Sequence, residues 1–250
     1  MHNGSLRLLH LTDTHLLGEP EGKLRGVAPL ASLQAVQSHA AQHFANPDGV
    51  LLTGDLVQDD TAGYAVLRNA FAETTTPVYC LPGNHDVPEV MFAELNQPPF
   101  MLGSHAVLGN WLLVMLNTWL SGSAAGQLGE AQLRRLDILL NQHQHLHTLV
   151  CLHHHPIDMG SEWLDQVGLQ DAAAFRRCLA NHVQVRGVLW GHVHQAFDGK
   201  IDGAHYMATP ATCMQFLPGS NDFALDSRPP GYRTLQLHAD GAIQTEVMWL

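Results

Sequence analysis

Short apolar runs recur along the first two-thirds of the chain and alternate with stretches whose apolar positions fall three or four residues apart. That alternation is the pattern of strands crossed by helices. The runs predict strands at Leu6 to Thr12, Val50 to Thr53, Val78 to Leu81, Trp111 to Asn117, Leu149 to Leu152 and Val185 to Trp190. Between them, Leu30, Leu33, Val36 and Ala40 share one helical face, as do Leu133, Leu136 and Leu140. Beyond Gly199 the pattern turns strand-rich. Tyr232 to His238 and Ala242 to Trp249 flank Asp240-Gly241, which predicts a hairpin closed by a type I′ turn. The segment from Phe216 to Pro230, rich in Pro, Gly, Ser, Asn and Asp, reads as a long surface loop and hence as a lid. No repeat, linker or charge block divides the chain, so the expectation is one α/β domain over residues 1–250.

Composition narrows the possible partners. No apolar stretch is long enough to cross a bilayer, so no membrane span is expected. Met1 to His10 holds one Arg and no continuous apolar core, so no signal peptide is expected either. Cys80, Cys151, Cys178 and Cys213 lie far apart with no C-x-x-C pair and read as reduced thiols, which fits a cytoplasmic protein. Twelve Lys and Arg against twenty-three Asp and Glu give a net charge of −11, which opposes binding of nucleic acid and disfavours a nuclease. A phosphate substrate would then need positive charge from another source, and bound divalent cations supply it. Eighteen His residues make metals the first chemistry to consider.

Five clusters of metal-ligand residues follow apolar runs: Asp13-Thr14-His15, Gly54-Asp55, Gly83-Asn84-His85-Asp86, His153-His154-His155-Pro156 and Gly191-His192-Val193-His194. Strand carboxyl ends in α/β sheets line the crevice where ligands bind, so the five are expected to converge. Asp13 and His15 are two apart; if the strand pleat continues, both face one way, and His192 and His194 repeat the arrangement. Gly54 and Gly83 leave room for tight turns presenting Asp55 and Asn84. The two carboxylate oxygens of Asp55 can bridge a pair of ions about 3.5–4 Å apart. Oxygen and imidazole donors suit Fe, Mn or Zn. Asp86 reads as the cap of a helix starting near Val87, and His143, His145 and His147 as a solvated connection.

In this order, D-x-H, G-D, G-N-H-D, a His run and G-H-x-H resemble the calcineurin-like metallophosphoesterase superfamily over 182 residues, from Asp13 to His194. LTDTHL, GVLLTGDLVQDD, LPGNHD, LHHHP followed by WLDQ, GHVHQ, ATPATCMQF and PGYRTLQLHADG are similar, along nearly the whole chain, to the bacterial class III cyclic-AMP phosphodiesterases. The resemblance implies a four-layer α-β-β-α sandwich of two mixed sheets, with two divalent metal ions at the sheet edges, Fe or Mn foremost and Zn or Co as alternatives. It implies that Asp13, His15, Asp55 and His194 hold one ion and that Asp55, Asn84, His153 and His192 hold the other. It further implies hydrolysis of 3′,5′-cyclic AMP to 5′-AMP by a water activated between the ions. Asp55 and His85 then belong to the catalytic apparatus, and Asn84, His85, His194 and His15 contact the substrate. Thr209, Thr212 and Cys213 are candidates for the pocket wall.

Two positions depart from the superfamily's pattern. Three residues after Asp55, where an Asp often orients the catalytic His, stands Gln58, with Asp59 and Asp60 beyond it. The fourth cluster has three consecutive His, which leaves His154 as the alternative to His153. The rival functions are the same fold and metals acting on a glycerophosphodiester, a nucleotide diphosphate or a phosphoprotein, and a non-catalytic interaction module. Oligomeric state is not legible in the sequence.

Overall fold

The computed structural model describes residues 5–250, so the reading of Met1 to Gly4 lies outside the described residues. The chain runs through β1 (Leu6–Leu11), α1 (Pro29–His43), β2 (Gly49–Thr53), α2 (Gly63–Ala70), β3 (Val78–Leu81), α3 (Pro88–Leu95) and β4 (Phe100–Met101). It continues through β5 (His105–Leu108), β6 (Trp111–Met115), α4 (Gly129–Gln142), β7 (His147–Cys151), α5 (Glu162–Asp165), α6 (Ala172–Ala180) and β8 (Val185–Trp190). The last strands are β9 (Phe197–Ile201), β10 (Ala204–Ala208), β11 (Gln215–Phe216), β12 (Leu225–Asp226), β13 (Gly231–Leu237) and β14 (Ile243–Trp249).

Two mixed six-stranded sheets result, ordered β14-β13-β1-β2-β3-β4 and β5-β6-β7-β8-β10-β9. The period-2 alternation of side chains divides the core. Leu8, Leu51, Leu81, Leu113, Leu149 and Leu189 point inward and pack between the sheets. Their neighbours Leu9, Leu11, Val50 and Leu52 point outward against Leu33, Val36 and Ala40 of α1 and Tyr64 and Leu67 of α2. On the other sheet Leu112, Val114 and Val150 pack outward against Leu136 and Leu140 of α4 and Phe175 and Leu179 of α6. Helices, sheet, sheet, helices are the four layers. Both faces of each sheet are covered, so the central parallel strands read as continuous apolar runs rather than as alternating ones. Among the described residues, no helix is long and apolar enough to cross a membrane.

Two local readings are corrected. The β13–β14 hairpin forms, but of Asp240-Gly241 only Gly241 has positive φ (86°), and its N–H donates to the His238 carbonyl at 3.0 Å. This is a three-residue loop ending in a left-handed glycine, since a type I′ turn needs positive φ at both central residues. Asp86 does not cap α3, whose preceding residue Val87 offers no side-chain cap. Its buried carboxylate instead accepts from the backbone N–H groups of Leu56 and Gly83 and from the Tyr64 hydroxyl, tying the ends of β2 and β3 together. Burial and the nearby Asp55 charge push the Asp86 carboxyl up to about 6.

One fully buried guanidinium links the sheets. Arg233 on β13 donates to the carbonyls of Phe197 and Ala208 in the opposite sheet and to both carboxylate oxygens of Asp198. The bond to the Ala208 carbonyl is buried and that to Phe197 half-buried, whereas the Asp198 side chain is 46% exposed. Arg233→Met is therefore expected to lower the unfolding free energy by about 2–4 kcal/mol and Asp198→Asn by under about 1 kcal/mol. Urea denaturation of both variants checks this, and equal losses would show that the ion pair, not the carbonyl pairing, carries the link.

Candidate metal centre

The five clusters meet at one place, the adjoining carboxyl ends of β1, β2 and β3 in one sheet and of β7 and β8 in the other. The backbone that brings them together is not a continued strand. β1 ends at Leu11 and β8 at Trp190, and beyond them Asp13 (φ 54°), His15 (46°), His192 (66°) and His194 (47°) are all left-handed, as is Asp55 (48°) beyond β2. The pleat argument for same-side projection is thus corrected: paired left-handed residues flanking Thr14 and Val193 turn the side chains inward. Such conformations cost of order 1 kcal/mol or more each and persist only where the surroundings impose them, and Asp and His are among the residues that adopt them most readily. Segments 12–16 and 54–58 lock one another through Asp13 N–H to the Gly54 carbonyl (3.1 Å), His15 N–H to the Asp55 carbonyl (2.9 Å) and Leu16 N–H to the Leu56 carbonyl (3.0 Å).

Two glycines are obligatory by space. A Cβ on Gly54, whose φ is +94°, would lie 2.5 Å from His153 Nδ1, and one on Gly83 would collide with the Asp55 carboxylate. Gly83 serves close approach rather than a special φ, unlike Gly54.

The side chains form two cages with one shared oxygen. In the first, His15 Nε2 lies 3.1 Å from His194 Nε2 and 3.8 Å from Asp55 Oδ2, and His194 Nε2 lies 3.4 Å from Asp13 Oδ1. In the second, His153 Nε2 lies 3.3 Å from Asp55 Oδ2, 3.2 Å from Asn84 Oδ1 and 3.2 Å from His192 Nδ1. Two nitrogens bound to one ion at about 2.0–2.1 Å, at angles between square and tetrahedral, stand roughly 2.9–3.4 Å apart. Both observed N···N separations fall in that range. The expectation that Asp55 uses both oxygens as a bridge is refined: Oδ2 faces both cages, while Oδ1 accepts the His85 N–H at 2.9 Å.

Hydrogen bonds set the tautomers. His153 Nδ1 donates to the Thr53 carbonyl (2.7 Å) and His194 Nδ1 to the Met214 carbonyl (2.7 Å), so in the neutral rings each Nε2 presents its lone pair to a cage. His154 has both nitrogens engaged, Nδ1 with the Thr118 hydroxyl at 2.7 Å and Nε2 with the Ala124 carbonyl at 3.2 Å. Of the two consecutive His, His153 is therefore the one aimed at Asp55. Burial pushes His15 down to about 4 and His192 well below its ordinary value, which keeps both imidazoles neutral. Burial pushes the Asp13 and Asp55 carboxyls up, but His194 beside the first and His153 beside the second outweigh it and hold both low. His153 answers Asp55: burial opposes its charge, the carboxylate overrides burial, and it is raised to about 9. Ionised carboxylates, an amide oxygen and imidazoles, with His153 giving up its proton, offer lone pairs around two points and fit a pair of divalent cations.

A buried chain of hydroxyls fixes Asp13. Its Oδ2 accepts from Thr12 Oγ1 (2.7 Å), Thr12 from Thr53 (2.9 Å), and His10 joins Thr53 (2.7 Å) to Thr209 (2.5 Å), itself bonded to Arg233. Burial and then Arg233 push His10 down to about 3, so it acts as a neutral connector. Thr209 thus serves this chain and is not among the residues of the pocket wall; Cys213 is buried with its thiol on the Asp13 carbonyl. His85 Nδ1 lies 2.9 Å from Asp59 Oδ2, and the Gln58 amide donates to that oxygen at 2.8 Å. Asp60 is occupied elsewhere, accepting from Gly18 N–H at 2.7 Å. The acid that reaches His85 is one residue further along than the familiar pattern, with Asp59 left-handed (φ 53°), and Gln58 at the usual position also lies 2.9 Å from His85 Nδ1 through Nε2.

A cavity of about 230 Å³ opens on the cages, lined by His15, Asp55, Asn84, His85, His192 and His194. Its other wall is Trp163, Phe216 and Phe223, which the sequence reading missed apart from marking residues 216 to 230 as a lid. The lid is a short hairpin of β11 and β12, with Phe216 lying flat on the His194 ring (3.9 Å, 7°).

Known proteins share this architecture and sequence pattern. The chain is 39% identical over 97% of its length to a Haemophilus influenzae protein named 3′,5′-cyclic adenosine monophosphate phosphodiesterase CpdA, covering 89% of it. It is 40% identical over its full length to the Vibrio vulnificus protein of that name, covering 92%. A dimetal phosphatase from Danio rerio, 12% identical, superposes with a TM-score of 0.70 over 98% of this chain and 99% of that one, a likeness of fold. The sequence pattern of the calcineurin-like phosphoesterases matches residues 6–196, and with these relatives and this fold the chain belongs to that family.

Proposed function

We propose that this chain is a dinuclear-metal phosphodiesterase that hydrolyses 3′,5′-cyclic AMP to 5′-AMP. The carrying observation is Asp55 Oδ2, faced by both nitrogen cages at the floor of an open cavity. The names of the relatives from Haemophilus influenzae and Vibrio vulnificus support the choice of substrate. Asp13, His15, Asp55 and His194 hold one ion, and Asp55, Asn84, His153 and His192 the other. The mixed oxygen and imidazole donors favour Fe or Mn, with Zn or Co as substitutes. When bound, the two ions supply positive charge for the phosphate oxygens and lower the pKa of a neighbouring water.

The chain's own groups do the rest. His85 and Asn84 stand at the cavity with His15 and His194, in reach of a diester placed over the cages. Asp59 fixes the His85 ring by Nδ1, which leaves Nε2 to carry the mobile proton. The water oxygen adds to phosphorus and one water proton passes to solvent, the P–O3′ bond breaks, and His85 Nε2 gives its proton to the departing ribose oxygen and is reprotonated from solvent. The cavity suits a small molecule, and the net charge of −11 turns away polyanions such as nucleic acid. Four free cysteines support a reducing, cytoplasmic setting.

Protein loaded anaerobically with Mn or Fe should bind two equivalents by metal analysis and convert cyclic AMP to 5′-AMP; intact cyclic AMP would overturn the reading. His85→Ala should lower kcat about 10²- to 10⁴-fold with both metals retained, and Asp59→Asn should lower it about 10- to 100-fold. His153→Ala should reduce metal content, while His154→Gln should leave two equivalents; the reverse outcome would move the ligand to His154.

Metal binding should also release a proton. Without ions, His153 is protonated at pH 7 because its value is raised to about 9, and a cation must displace that proton. Apparent affinity should therefore rise with pH up to about 9 and then level off. Calorimetry in buffers of different ionisation enthalpy reads the proton count, and no release at pH 7 would contradict the assignment.

A further inference from the structure

The cavity has two chemistries, and cleaving a diester uses only one of them. Opposite the cages lie Trp163, Phe216 and Phe223, each ring edge-on to the other two with centroids 5.2 to 5.3 Å apart. Phe216 joins the two ends, since its other neighbour is the flat face of His194. Phe223 is 40% exposed, and Leu217 and Leu225 of the same hairpin are 43% exposed each, an apolar rim left facing water. Trp163 lines the cavity, while its Nε1 is buried with no acceptor among the described residues, so the indole meets the cavity by its ring and not by its N–H.

Arg25 completes this end. Its guanidinium lies 4.5 Å from the centre of the Phe223 ring. Leu24 and Val27 pair by reciprocal backbone bonds (2.8 and 3.0 Å), and both residues between them have positive φ, Arg25 at 49° and Gly26 at 90°. That is the tight turn of type I′ character, and an arginine in it is strained. Leu24 and Val27 are fixed by packing on Ala211, Cys213 and Met214, so the turn holds its Arg at the cavity mouth.

We propose that Trp163, Phe216, Phe223 and Arg25 form a subsite for the purine base of a nucleotide whose phosphate sits over the cages. This rests on the phosphodiesterase reading above. Flat aromatic rings and a guanidinium plane hold a base by its π-face, and the two fused rings of a purine offer more of that face than a pyrimidine does. A phosphate ester without a base would leave the aromatic end uncovered.

The test compares wild type with Phe223→Ala and Arg25→Ala, two exposed positions whose loss spares the core. Loss of one stacking partner should cost about 5- to 140-fold in base-dependent binding. For the metal-loaded enzyme, the ratio of kcat/KM for cyclic AMP to that for methyl 4-nitrophenyl phosphate, a base-free diester, should fall about tenfold, chiefly through KM. Calorimetric affinity for 5′-AMP should fall by a similar factor, and wild type should bind it more tightly than 5′-UMP. An unchanged ratio together with unchanged 5′-AMP affinity would overturn the subsite. Equal losses on both diesters would overturn it as well, showing that the hairpin only shapes the metal end. Wild type that binds 5′-AMP through Phe223 yet leaves cyclic AMP intact would refute the proposed reaction while sustaining the base subsite.

Discussion

Two ionised carboxylates, Asp13 and Asp55, lie fully buried with oxygens within 4.8 Å of one another, and the rest of the structure answers to that repulsion. Moving a carboxylate out of water costs several kcal/mol even after relaxation, and a second one nearby adds to it. Hydrogen bonds meet part of the cost: His192 N–H and Thr12 Oγ1 serve Asp13, and His85 N–H serves Asp55. Protonated His153 meets another part. What remains is a charge deficit that divalent cations match. This is the physical reason an acidic chain with few basic residues can handle a phosphate at all: its positive charge is imported to where its own acids are concentrated.

The central strands and the helices α1 and α4 were legible because burial writes itself into spacing, whereas α2, α5 and α6 were not read. All six strands read from apolar runs are present within two residues of their expected ends, since parallel strands covered on both faces must be apolar throughout. The short strands β4, β5, β11 and β12 carry two to four residues each and leave no run to read. The ligand-type residues were legible for another reason, as Asp, Asn and His placed just past such runs have few structural roles there. Their geometry was not. Spacing suggested a continued pleat at Asp13 and His15, whereas left-handed backbone does the turning, a conformation that residue identity permits but does not announce.

The same limit explains the turns. Asp240-Gly241 has the sequence of a type I′ turn and does not form one, while Arg25-Gly26, with no such signature, has the two positive φ values. Local preference decides a turn only when nothing else does. At Arg25 the packing of Leu24 and Val27 overrides it, and at Gly241 the His238 to Ala242 pairing sets a three-residue loop. Asp59 shows the point in chemistry: with Gln58 in the usual orienting position, only the folded path of residues 55 to 60 reveals which acid reaches His85.

The two cages also constrain the sheets. Asp13, His15, Asp55 and Asn84 come from one sheet and His153, His192 and His194 from the other, so each cage holds ligands of both. Cations bound there would clamp the sheets at their carboxyl ends, and Arg233 clamps them through the buried chain Thr209, His10, Thr53 and Thr12 that ends on Asp13. Anything that binds the folded arrangement but not the unfolded chain stabilises it by mass action. Metal affinity and inter-sheet packing are therefore one free-energy balance seen from two sides. A site assembled from two sheets depends on the interface between them, which here is an apolar core crossed by one buried polar chain that ends on the Asp13 carboxylate.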